Sequence, residues 1–173
     1  MVTLRDIRDG HAPLSSDNAF VVETMPPASS RVASVAAPIY LLLFPIPVVL
    51  FVAAVVTDVA YSASAFLMWL HFSQWLIAAG LAFGAVAAIA LLVVVFASGA
   101  NRVGTYGWSH LVLFYAALII EVFNAFIHTA DGWTAVVPIG VLLSIVGAIC
   151  ALAAVGTLFF MPIAWVSARG APA

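Results

Sequence analysis

The residues able to do chemistry are few, and most of them share one apolar stretch: His110, Glu121, Asn124 and His128. At 100° per helical residue, His110 and His128 coincide in direction. Glu121 lies about 20° to one side and Asn124 about 40° to the other. As a helix, this stretch presents all four from one narrow face about 27 Å long. Ionisable groups in such a stretch face inward and pair with one another, or carry protons or ligands. His71 and Gln74, in the preceding apolar stretch, form a second set. Two imidazoles at matched depth ligate a b-type haem iron from both faces. The expected cofactor and metal ligands are therefore His71 and His128, with Gln74 and Asn124 as hydrogen-bonding neighbours. His110, Glu121 and Asn124 are expected to form a buried polar face. Hydrogen-bonded structural histidines, a quinone site and a proton-handling site are the alternatives to haem. Cys150 is the sole cysteine, so neither a disulfide nor a thiolate-rich zinc site is expected. A GxSxG elbow, an HExxH pair and a Walker loop are all lacking, and no catalytic residue is assigned.

What positions these groups is set by composition. Of 173 residues, 66% are hydrophobic and 7% charged, with a net charge of −2. A soluble domain carries about 25% charged residues. A chain this poor in charge cannot cover a water-facing surface, and it has no basic field for nucleic acid. Its solvent is the lipid bilayer, and its fold class is all-α and polytopic.

A hydrocarbon core of about 30 Å needs about 20 helical residues. Four stretches qualify, at residues 38–60, 66–97, 108–128 and 134–165. The breaks between them are short, and Asp131-Gly132 is a turn pair. Short connections predict four helices in an antiparallel up-down bundle. All five basic residues are arginines: Arg5, Arg8, Arg31, Arg102 and Arg169. Four spans put all five on one side, which predicts cytoplasmic N and C termini in a bacterial inner membrane. Trp69, Trp108, Trp133 and Trp165 fall near span ends, as an aromatic belt requires. The organisation is then an N-terminal tail (1–33), the membrane domain (34–165) and a C-terminal tail (166–173). Thr3 and Asp6 have capping-box spacing in the first tail, but Gly10 and Pro13 stop a helix there.

Two local features bear on packing. Pro45-Ile46-Pro47 removes two backbone donors from span one, which predicts a kink facing the bundle. Gly80 and Gly84 in span two, and Gly140, Ser144, Ala148 and Leu152 in span four, recur every four residues. Such ridges bring helices close, within one chain or between two copies. Glu121 is expected to take a donor from another span or from water.

Several of these residues resemble the integral-membrane family known as domain of unknown function 2231. The similar segments are Phe44-Pro45-Ile46, Asp58 at the end of span one, Trp75 to Leu81, and His110 opening span three. The resemblance covers roughly residues 35–165 and implies a four-span bundle. The chain departs from the family's pattern at Ala36-Ala37-Pro38, where a His-Pro is common, and at Phe114, where an Asn is common. No ligand is carried over to those positions. Relatives of this kind occur joined to redox modules. The resemblance thus implies a membrane subunit anchoring or assembling a redox complex. Its partners would be the bilayer and other protein subunits, among them a periplasmic redox protein. A cofactor-free structural protein, and a small transporter or proton path along the third span, are the other classes.

Overall fold

The computed structural model describes residues 28–98, 105–130 and 136–169. These residues fold almost entirely into helices, and four candidate spans emerge: Arg31–Ser64, Leu67–Ala97, Gly107–Thr129 and Ile139–Phe159. The first span comprises α1 (Ala28–Leu43) and α2 (Pro45–Ser64). The others are α3 (Leu67–Ser98), α4 (Thr105–Thr129) and α5 (Ile139–Arg169). The tail through residue 27 lies outside the described residues, with Thr3, Asp6, Arg5 and Arg8. So do Arg102, Asp131, Gly132 and Trp133.

Each boundary has a local cause. The interruption between α1 and α2 falls on Phe44, one residue before Pro45. Phe44 keeps helical dihedrals, and its N–H still reaches the Tyr40 carbonyl at 2.8 Å. The prolines therefore break the helical ladder without ending the span. Phe44 and Pro47 turn inward and Pro45 outward, so only half of this segment faces the bundle. At the other end of α2, Ala65 adopts a left-handed conformation, and its N–H caps the Tyr61 carbonyl at 2.8 Å. That reversal leaves two residues before α3. The described last span begins at Ile139, just past Pro138, a residue that suits a helix start and not its interior; residue 134 lies outside the described residues.

Contacts run in opposite senses along neighbouring spans. Gly80 and Gly84 of α3 abut Phe51 and Pro47 of α2. Ser73 of α3 approaches His128 of α4, while the Tyr115 hydroxyl of α4 donates to the Ala88 carbonyl of α3 at 2.8 Å. Gly140 and Gly147 of α5 abut His128 and Glu121 of α4. The first span packs on α3 and α5, and α4 packs on the same two, so the four spans close a ring. Both glycines of the α3 ridge are filled by side chains of the same chain, which assigns that ridge to intramolecular packing.

Polarity is inverted relative to a water-soluble bundle. Trp75, Phe96 and Leu42 stand 75–77% exposed, where lipid meets them. Asp58, Ser73, Glu121, Asn124 and Ser144 are fully buried. Lipid solvates the large apolar groups, and only the interior offers polar groups a partner.

Candidate functional site

Four polar residues of α4 turn into the bundle. His110, Glu121, Asn124 and His128 are all 0–1% exposed. They do not form one continuous site. His110 belongs to a cluster near the end of the bundle where the first span begins and the last span ends. Glu121, Asn124 and His128 belong to another, toward the end where α2 meets α3. Eleven residues, about 16 Å of helix, separate His110 from Glu121. Phe114, Ala117 and Leu118 fill that interval within the apolar core.

Asp58 is the hub of the second cluster. Helical spacing puts it in phase with Phe51, Ala54 and Tyr61, the inward face of α2. Its Oδ1 accepts a hydrogen bond from the Ser73 hydroxyl of α3, and its Oδ2 accepts one from the Ser144 hydroxyl of α5. The Nε2 of His128 lies 2.9 Å from the same Oδ1. One carboxylate thus joins all four spans. The ring of His128 is oriented by its own helix, because Nδ1 donates to the Asn124 carbonyl at 3.0 Å. With Nδ1 acting as donor, Nε2 faces a carboxylate oxygen, and two bare acceptors would repel. A proton therefore lies between His128 and Asp58. Ser73, Ser144 and His128 thus all meet at the one carboxyl group of Asp58.

Glu121 contrasts with Asp58. Its Oε2 accepts from Asn124 Nδ2 at 2.9 Å, and the same amide nitrogen donates to Ser144 Oγ at 2.7 Å. The donor expected from another span comes instead from one turn further along α4, since residues three apart on a helix are neighbours. Among the described residues, Glu121 Oε1 and Asn124 Oδ1 have no hydrogen-bond partner. Both are acceptors, and both are enclosed. A charge carried by Glu121 would have no counter-charge of its own, because His128 is already matched by Asp58.

Helix α5 is shaped to this stripe. Gly140 abuts His128, Ser144 meets Asn124, and Gly147 abuts Glu121. The inward ridge of α5 is thus Gly140, Ser144, Gly147, Ala151 and Ala154. Leu152, expected on it, is 52% exposed. A strict four-residue step drifts by about 40° each time, so the buried ridge alternates steps of four and three.

The other cluster is closed. His110 Nδ1 donates to the Ala154 carbonyl at 2.8 Å and approaches Thr157 Oγ1 at 3.0 Å. That leaves Nε2 as acceptor, and the Tyr40 hydroxyl donates to it. Phe44 and Phe114 complete an aromatic box around the ring.

The haem pair is not assembled. His71 is exposed on the outside of α3, where Phe72 and Trp75 are exposed too. Two positions further on, Ser73 is buried and takes the place beside His128. Both ring nitrogens of His128 already have protein partners. His71 and His128 share an end of the bundle but not a face, and a b-type haem does not fit them. Gln74 does reach His128, donating from Nε2 to its main-chain carbonyl rather than to its ring. Among the described residues, no three His, Cys, Asp or Glu side chains gather as metal ligands.

A family model described as "Predicted membrane protein (DUF2231)" matches residues 36–159. The chain belongs to this family. The matched region runs from before Tyr40 to beyond Thr157 and so holds both polar clusters. Of the segments that carry the family resemblance, Asp58 anchors one cluster and His110 the other. No curated protein and no solved structure matches the chain.

Helical phase within one span made the α4 stripe legible. Asp58, Ser73, Ser144 and Tyr40 were not assigned to it, because each sits alone on its own helix. The available signal was phase again. Asp58 is seven residues from Phe51, and Tyr40 is four from Phe44, on the inward face of the first span.

Proposed function

We propose that this membrane protein handles protons, and that Glu121 is the group that takes up and gives back the proton. The observation that carries this reading is the asymmetry between two buried carboxyls. Asp58 has two hydroxyl donors, Ser73 and Ser144, and shares a proton with His128. Among the described residues, Glu121 has one donor, an unpartnered Oε1 and no counter-charge. Two carboxyls held in such different surroundings divide the work of fixed charge and exchangeable acid. Asn124 relates them without merging them. Its amide nitrogen bonds to Glu121 and, through Ser144, to Asp58, but an amide nitrogen donates and does not accept a proton. The arrangement is that of a small transporter or proton path built on the third span. The partition of the arginines supports cytoplasmic termini, which places the Asp58 end of the bundle outward.

The test is infrared difference spectroscopy on the full chain in liposomes, stepped between acidic and alkaline buffer. A carboxylic C=O band should appear and disappear reversibly and be absent in Glu121→Gln. Vesicles loaded with a pH-sensitive dye should show proton uptake that the same variant loses. A wild-type spectrum without such a band, or a band that survives Glu121→Gln, refutes the reading.

A further inference from the structure

We propose that Gly147 determines what the Glu121 site accepts: it lets the carboxyl lie directly on the α5 backbone, which leaves room for a proton and none for water or a metal cation. This inference rests on the proton reading and names the residue that makes the site proton-selective.

The geometry is specific. A Cβ added at Gly147 would fall 2.9 Å from Glu121 Cδ and 3.1 Å from its Cγ, and closer still to Oε1. Carbon atoms in contact sit at about 3.5–4.0 Å, so a methyl group there would require the Glu121 carboxyl to move off the α5 backbone. Glycine is required for contact rather than for backbone freedom, since the residue sits inside α5. The oxygen pressed against this backbone is the one with no hydrogen-bond partner, on a side chain that is 0% exposed.

A buried water bridges about three polar groups and needs a cavity of its own. A sodium ion needs several oxygen ligands around it. On the side of α5, Oε1 lies against Gly147, which offers no side-chain oxygen as a ligand. A proton needs no volume. The groups facing Glu121 are Asn124 on its own helix, with Ser144 and Gly147 on α5. Asp58 of α2 and His128 of α4 lie behind Ser144 and Asn124 as a hydrogen-bonded pair. Ser73 of α3 bonds to Asp58. None of them supplies a second ligand at Oε1 among the described residues. Gly140 differs in kind. A Cβ there would sit 3.1 Å from His128 Cε1 and 3.1 Å from Val136 Cγ1, a contact that asks for a shift of only a few tenths of an ångström.

The two positions should behave as a matched pair, tested by a cycle of Gly147→Ala, Glu121→Asp and the double variant. The readouts are the carboxylic C=O band and its rate of shift in D₂O, for the full chain in liposomes. Wild type should show the high-frequency band of an acid without water and a slow shift. Glu121→Asp withdraws the carboxyl by one methylene and admits water. Its band should fall in frequency, and its exchange should quicken by about tenfold, equal to ~1.4 kcal/mol of opening. Gly147→Ala should lose the wild-type band, and the double variant should regain a dry, slowly exchanging acid. Sodium chloride should shift the wild-type melting temperature no more than choline chloride at equal ionic strength.

Four results overturn the proposal: fast exchange in the wild type, unchanged slow exchange in Glu121→Asp, a wild-type band in Gly147→Ala, or a sodium-specific stabilisation of the wild type. If a Glu121-dependent band exists but ignores Gly147, the proton reading stands and this inference fails. If no such band exists, the proton reading itself fails.

Discussion

The two polar clusters of α4 are built from similar parts to different ends. At the His110 end, an imidazole is held by a phenol, a main-chain carbonyl and a threonine hydroxyl. Each ring nitrogen has a partner, and among the described residues no carboxyl takes part. At the Glu121 end, two carboxyls, an imidazole, an amide and two hydroxyls meet, and two acceptors are left over. Buried polar groups are normally satisfied, so the departure carries the information. The closed cluster is structural glue between the first span, α4 and α5. The open one retains a cost that packing alone would have removed, as functional sites do.

Variants can break or sharpen this contrast. The largest effect should come from Asp58→Ala, which leaves two hydroxyls and the His128 ring without their partner. Loss of one member of a buried ion pair costs about 3–5 kcal/mol, measured as reversible unfolding in micelles. Near-wild-type stability would mean that Asp58 does not hold the four spans together. Ser144→Ala removes one donor from Asp58 and one acceptor from Asn124. A cost of about 1–3 kcal/mol is expected, the usual penalty for buried groups left unpaired. Tyr40→Phe deletes one hydrogen bond of the closed cluster and should cost about 1 kcal/mol. Proton uptake should not change. If Tyr40→Phe suppresses uptake as Glu121→Gln does, the two clusters are one functional unit and the contrast drawn here is wrong.

Smaller still should be the stability effect of Glu121→Gln. The side chain keeps its shape and its bond from Asn124, so the melt should move little while proton uptake disappears. The smallest effect belongs to His71→Ala. An exposed substitution away from such features falls within about 0.5 kcal/mol. Identical visible spectra for His71→Ala and wild type are also expected, because this histidine has no part in a cofactor site. A spectral change would restore the haem reading.

Much of this protein follows from its residues alone. A chain with 7% charge and four long apolar stretches has no solution in water and must place helices in lipid. Helical phase then determines which side of the third span is buried, because a periodicity of 3.6 allows one polar face and lipid penalises every other choice. His110, Glu121, Asn124 and His128 were legible for that reason. The pairings were not. Phase says that Asp58 and Tyr40 face inward, but not that Asp58 meets His128, nor that Tyr40 meets His110. Depth suggested His71 as the partner of His128, yet depth leaves the rotation of α3 undetermined. Tertiary packing decided that rotation: Gly80 and Gly84 admit Phe51, Pro47 and Leu118, which turns Ser73 inward and His71 out to lipid. The same packing decided the fate of Glu121. Its burial is a property of one helix. Its orphaned oxygen exists because α5 brings Gly147 to that spot, and no single span specifies the register between two helices.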